Sequence, residues 1–303
     1  MHFSKVAEIY TNSHRLAEET RAHYRFVARQ FVKDMGITEI EDLTPQLVEQ
    51  WRRKVLERNV SATTWNNYFR HFRIMVIFAY RVDIIRKCPI TESSYERVYR
   101  LPAKTMPTDK MLRIVVYLES EQSKFKPQWF WVAVLRLFFY TGMRRKQLIH
   151  LRWSDIDFKE EKLTFQPHSS KTGYSWEIPL TIPTLVSLAN VQKETLKVLG
   201  SDADLSNRYV FDIGLFNPRY HCRGRMEPNT VTNFFRRLST ETGITISAHR
   251  LRHTLATHLA REGQYKELQD ILGHRSMQTT MRYIHPKLDT MRALISTIDD
   301  IGV

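Results

Sequence analysis

At 303 residues, with 42% hydrophobic and 12% aromatic side chains, the chain is long enough for one or two packed domains and falls outside the disordered class. Lys and Arg (46) outnumber Asp and Glu (32), for a formal charge of +14 and a pI near 9.8; that balance favours a polyanionic partner, although a merely soluble basic protein shares it. Two distant cysteines, Cys88 and Cys222, exclude a disulfide framework or a cysteine metal site. The amino terminus MHFSKVAEIYTNSHRL lacks the apolar core of a signal peptide, and the apolar run from Trp129 to Tyr140 is broken by Arg136, so a cytoplasmic protein without membrane attachment is expected.

Residues 15–35 carry Leu16, Tyr24, Val27, Phe31 and Val32 at helical spacing. Beside them Arg21, Arg25 and Arg29 form an i, i+4, i+8 row, either a solvated face or a stripe that meets phosphates. Thr44-Pro45 reads as a cap followed by Pro in the first turn, opening a helix with Leu47, Val48, Trp51 and Val55 inside. A third helix starts near Ser61 with Trp65, Phe69, Phe72, Val76 and Ala79 on its core side. Its Asn66, Asn67, Arg70 and Arg73 are either ordinary surface or readers of base edges in a major groove. These helices form a bundle ending near Cys88-Pro89. The hydrophobic period then fades and prolines recur, giving a domain over 1–97, a linker over 98–108 and a second domain over 109–303.

Thr108 is read as the cap of the next helix, with Met111, Leu112, Val115 and Leu118 inside. The segment PQWFWVAVLRLFFYTG is apolar almost all round and predicts a buried helix stopping at Thr141-Gly142. A new helix begins at once with Arg144, Arg145 and Lys146; an arginine abutting a core needs an anionic partner. IDFKEEKLTF and SWEIPL read as antiparallel strands around HSSKTGY, whose Lys171 is placed to reach out of the turn. Helices are expected over 182–199 and 229–242, joined by an Arg-rich loop bearing Arg223 and Arg225. The fold class is therefore mainly α with a small antiparallel sheet.

The stretch SAHRLRHTLATHLAREGQYKELQDILGHRSMQTTMRYIHP concentrates the chemistry. Ser247 caps a helix that carries His249 and Arg252 at i, i+3 on one face, at the end that favours an anion. Gly273 suits a left-handed stop that turns His274 back, and a short element presents Tyr283. His249 and His253 also have the i, i+4 spacing of some zinc sites. With no Glu after the first His and no third ligand, no metal or other cofactor is expected.

TGMRRKQLIHLRWSDID, the Lys-bearing HSSKTG, HRLRHTLATHLA and LGHRSMQTTMRYIHP stand in the order and spacing of the tyrosine recombinase (phage integrase) family, which the chain resembles from about residue 108 to 286. More weakly, the amino-terminal bundle resembles that family's core-binding domain, and the second domain its mixed α/β catalytic domain. The resemblance implies a site of Arg144, Lys171, His249, Arg252, His274 and Tyr283, with Lys162 as an alternative to Lys171. It departs at Gln147, where the family usually has an acidic residue. Two guanidiniums would hold the non-bridging oxygens, the histidines would add donors, and Tyr283 would attack phosphorus with His249 handling its proton. A phenol with an ordinary pKa of about 10 needs such cationic neighbours. Lys171 would protonate the leaving 5′-oxygen.

What the resemblance implies, then, is site-specific recombination of double-stranded DNA through a 3′-phosphotyrosyl intermediate, by a homo-tetramer on two duplexes. A type IB-like topoisomerase and a catalytically silent DNA-binding protein are the alternatives. Leu288, Met291, Leu294, Ile295 and Ile298 predict a terminal helix that packs on its own domain or on a neighbouring protomer. The chain starts almost directly with the bundle, so no separate arm-site domain is expected.

Overall fold

The computed structural model describes residues 1–90, 95–99, 105–169, 173–220 and 224–284. The expected terminal helix, Lys171 and Arg223 lie outside these residues. The chain divides into two compact units, Met1–Leu101 and Pro102–Val303.

The first unit is a bundle of α1 (Phe3–Ser13), α2 (Glu18–Met35), α3 (Pro45–Leu56) and α4 (Ala62–Arg81). Thr44 and Ser61 cap α3 and α4 by accepting from Leu47 N and Thr64 N, as their positions predict. Phe3, Phe31, Trp51, Trp65, Phe69 and Phe72 are all fully buried, and each such ring contributes roughly 1.5–3 kcal/mol. Beneath them the buried Asp34 carboxylate accepts from Trp51 Nε1 (3.0 Å), Gln30 Nε2 (2.9 Å) and Arg58 Nη2 (2.7 Å). Those three bonds satisfy a charge that would otherwise be costly to bury. The helix expected over 15–35 begins at Glu18 and is preceded by α1, whose Phe3, Val6, Ala7 and Tyr10 are buried at i, i+3, i+4, i+7.

The second unit is built around α6 (Gln128–Thr141), which is buried on nearly every side and packs mainly against α8 (Ile182–Leu199) and α10 (Ala248–Arg261). α5 (Thr108–Glu119) precedes it and α7 (Arg145–Ile149) follows. The N-cap of α5 is Pro107, not Thr108. Its inner face is Met111, Ile114 and Leu118, so the expected inward Leu112 is in fact exposed. β1 (Ile156–Asp157), β2 (Lys162–Phe165) and β3 (Trp176–Pro179) form an antiparallel sheet in the order β1-β2-β3, with Leu163 opposite Ile178 and Phe165 opposite Trp176. α9 (Pro228–Thr242), α11 (Tyr265–Leu272), α12 (Met277–Thr280) and a 3-10 turn over Met281–Tyr283 complete the unit. No described helix is long and apolar enough to cross a membrane.

Candidate active site

Five of the six expected residues converge in the second unit. α6 ends at Gly142 and Arg144 is the N-cap residue of α7, so a sharp reversal delivers the Arg144 side chain at the edge of the core. Gln147 fixes that reversal: its Oε1 accepts from Arg144 N at 2.6 Å. The Gln147 side chain is buried, and neither its Nε2 nor Arg144 Nη1 has a partner among the described residues. Burial lowers the Arg144 pKa, opposed by Tyr283. A buried guanidinium nitrogen without an acceptor is a donor held ready for an anion.

Ser247 caps α10 through Arg250 N at 3.1 Å. One turn on, Arg252 is 5% exposed. Its Nη1 donates to Gly142 O (2.7 Å), and its Nη2 donates to Leu272 O (2.8 Å) and approaches His274 Nε2 (3.0 Å). The Tyr283 hydroxyl lies close enough to it to oppose the loss of its charge. Burial first, and then Arg144, push the Arg252 pKa down to about 10, while Tyr283 raises it. Because a guanidinium only donates, His274 Nε2 is the acceptor, and its Nδ1–H points to Thr280 Oγ1 at 3.0 Å.

Tyr283 is 7% exposed and packs with Ala256, Ala260, Leu268 and Leu272. Its ring stacks parallel to His274, with centroids 6.1 Å apart, and lies 5.1 Å from His253. His249 is exposed, and its Nε2 meets His253 Nε2 at 2.7 Å. Burial, followed by Arg252, lowers the pKa of His249; burial, His249 and Arg252 lower that of His253. Two arginines, three imidazoles and a phenol therefore share one edge of the unit. His253, considered from sequence only as a zinc ligand, belongs to this group. Among the described residues no set of three or more His, Cys, Asp or Glu is placed to hold a metal.

The hairpin that carries Lys171 in sequence is tied to the same edge. Trp176 Nε1 donates to Ile271 O at 3.3 Å, and its indole lies over Gly273. Arg275 stacks on Tyr174 at 4.1 Å. Lys162 is paired with Glu177 across β2 and β3 at 3.1 Å.

The expected DNA contacts fare differently. Arg25 and Arg29 are exposed and line a cleft of about 390 Å³ with Glu8, while Arg25 pairs with Glu18 and the half-buried Arg21 donates to Leu16 O. Asn66 is not available as a base reader: both ends of its amide bind the Glu96 backbone, at 2.7 and 2.8 Å. Asn67 accepts from Arg70 at 3.0 Å, and the half-buried Arg73 has an Nε without a partner among the described residues. In the second unit Arg145 donates to Thr232, and Arg225 contacts His150 Nε2 (2.8 Å) while lying over Tyr209. A cleft of about 710 Å³ lined by Lys124, Lys126, Arg219, Arg236 and Arg237 was not apparent from sequence, because its cations come from three separate segments.

The model of the phage integrase family matches residues 104–289. Over 96% of its length the chain is 29% identical to a Pseudomonas aeruginosa protein assigned as tyrosine recombinase XerC, of which it covers 70%. A Pseudomonas syringae counterpart is 28% identical over 98% of the chain, which covers 64% of it. The fold is similar to that of the Tn1549 transposon integrase in complex with a circular intermediate DNA (TM-score 0.77, 19% identity, 98% of this chain and 100% of that one). It is also similar to a lambda integrase dimer bound to a COC′ core site (TM-score 0.70, 20% identity, 94% and 96%).

Proposed function

The chain belongs to the phage integrase family, and on that premise we propose that it is a tyrosine site-specific recombinase that cuts and rejoins double-stranded DNA. The observation that carries this reading is the meeting of Tyr283 with Arg252, His274 and the unpartnered Nη1 of Arg144 at one edge of the second unit. A phosphodiester carries one negative charge, and more develops as it is attacked. Preorganised donors are therefore the main requirement, and removing one costs roughly 3–4 kcal/mol of transition-state stabilisation.

Arg144 and Arg252 hold the non-bridging oxygens. The donor that Arg252 directs at His274, beside Tyr283, is the one a phosphate would take, while its bonds to Gly142 O and Leu272 O keep the guanidinium in place. His249 adds a donor, His274 adds one when a proton on its Nε2 replaces the bond from Arg252, and His249 takes part in removing the phenol proton. The Tyr283 oxygen forms the new bond to phosphorus, the bond to the 5′-oxygen breaks, and Lys171 protonates that oxygen. The product is a 3′-phosphotyrosyl linkage with a free 5′-hydroxyl. It conserves the phosphodiester energy, so attack by a hydroxyl from another duplex reverses the step without ATP.

Four protomers on two duplexes would exchange strands, as part of moving a genetic element in the cytoplasm. The first unit serves as the core-binding domain, with Arg25, Arg29 and Arg70 as phosphate contacts, and Arg145, Arg223 and Arg225 act from the second. The cationic cleft at Arg219, Arg236 and Arg237 suits further backbone contact.

A nicked suicide duplex holding the recombination site tests this reading. The protein is expected to form a covalent adduct stable to denaturation, and Tyr283→Phe none. An adduct with the Phe variant refutes the assignment of the nucleophile. Tight binding with no adduct on a verified site supports the silent DNA-binding alternative.

A further inference from the structure

His253 has no part in the chemistry above, yet it is the imidazole whose ring lies 5.1 Å from that of Tyr283. Its Nε2 faces His249 Nε2 at 2.7 Å, with the rings nearly perpendicular (86°). At that distance two lone pairs cannot face each other, and neither can two N–H groups. One proton therefore lies between them. His253 Nδ1 is buried and has no partner among the described residues. A buried unpaired N–H is less tolerable than a buried unpaired acceptor, as is also true of the backbone. The favoured neutral arrangement thus has His253 Nε2–H donating to His249 Nε2. That leaves His253 Nδ1 as a bare lone pair and places the second proton on Nδ1 of the exposed His249.

We propose that His253 is the positioning partner of His249, and that the two imidazoles share a bridging proton and act as one proton-holding unit beside Tyr283. The inference rests on the reading of Tyr283 as the nucleophile. As the phenol oxygen bonds to phosphorus, its proton goes to His253 Nδ1, the one lone pair this arrangement leaves free, and the pair passes from two protons and no charge to three protons and one positive charge. The leaving oxygen takes its proton from the separate acid, Lys171. The bridge lets the new charge settle on either ring, while His249 keeps an outward N–H for the phosphate. A fourth proton is opposed by the first charge and by Arg252 on the same helix. The other charged or titratable groups about the pair, among the described residues, are Tyr283 on the turn packed across α10 and, through Arg252, Arg144 and His274. Burial and Arg252 lower the pKa of both rings.

The test is the titration of the His249 ring in the DNA-free protein, followed by the NMR signal of its Cε1–H, together with the pH profile of single-turnover cleavage. Coupling predicts that His249 titrates in two steps spread over more than about one pH unit, becoming a single step in His253→Leu. His253→Leu should cleave about tenfold more slowly at pH 7, with a displaced acid limb. His253→Gln, whose amide can still donate to His249 Nε2 but brings no second basic nitrogen, should keep the one-step titration and stay as slow as His253→Leu. A one-step titration with the same midpoint in wild type and variants overturns the proposal, as does a slower rate with an unmoved acid limb. Because the NMR measurement requires no cleavage, it bears on the pair alone; an adduct with Tyr283→Phe would instead overturn the functional reading.

Discussion

Replacing Gly273 by Ala isolates the contact that joins the two halves of the site. Gly273 ends α11 in the left-handed region (φ +60°), and a Cβ there would lie 2.6 and 2.7 Å from Cε2 and Cη2 of Trp176. The backbone term costs about 1–2 kcal/mol. Relieving the overlap by moving the indole or the turn adds about 1–3 kcal/mol. Gly243 supplies the control: its φ is +66°, and a Cβ there would meet nothing within 4 Å. Gly243→Ala should therefore lose only the backbone term. Urea unfolding followed by circular dichroism should place Gly273→Ala below Gly243→Ala by roughly 1–3 kcal/mol. Only Gly273→Ala should also slow adduct formation, since His274 is the next residue. Equal losses in the two variants, within the ~0.5 kcal/mol typical of unremarkable surface changes, would show that the indole moves aside freely and would refute the coupling.

Gln147→Met removes the acceptor for Arg144 N, at a cost of about 1–3 kcal/mol, and should slow cleavage; Gln147→Glu keeps that acceptor and should stay near wild type. Suicide-substrate kinetics compare the two, and equal rates would show that the reversal at Arg144 does not depend on this bond. Stability should fall as pH drops below the ordinary histidine pKa of about 6.5. His23, His71, His150, His249 and His253 all have lowered pKa values, with burial the largest cause in each. Below 6.5 the unfolded chain then binds more protons than the folded one, so stability is lost as pH falls from there through the folded values. A melting temperature that rises between pH 7 and pH 5.5 contradicts this sign.

Much of the molecule could be read before it was seen. Thr44, Ser61 and Ser247 announced helix starts because capping is a local bond, and the all-round apolar segment became the central helix α6. That Arg144, His249, Arg252, His274 and Tyr283 come together follows from motifs whose order and spacing resemble those of one family, with each residue at a helix end or one turn inside it. What failed was non-local. Asn66 looked like a base reader, but its partner is the backbone of Glu96, thirty residues away. Leu112 and Ile114 are both apolar, and packing alone decided which turned inward. α1 is a different case: Phe3, Val6, Ala7 and Tyr10 carry the helical period, and the helix is legible there although the segment is too polar for a signal peptide. His253 has the i, i+4 spacing of a metal ligand, and the spacing of two imidazoles does not show whether a proton or an ion lies between them.

Arg252 is a tie as well as a phosphate ligand. Its two bonds to Gly142 O and Leu272 O fasten the end of α6 to the end of α11, two segments 130 positions apart in sequence. Carbonyls at helix ends have no partner within their own helix, so truncating this side chain would leave them unpaired inside the protein and loosen the turn that carries His274. An inactive Arg252→Ala protein would then report the state of the scaffold as much as the loss of a charge. For any experiment that needs a silent but intact protein, such as mapping occupied sites or assembling complexes on DNA, the suitable substitution is Tyr283→Phe, which removes a single oxygen and leaves that fastening untouched.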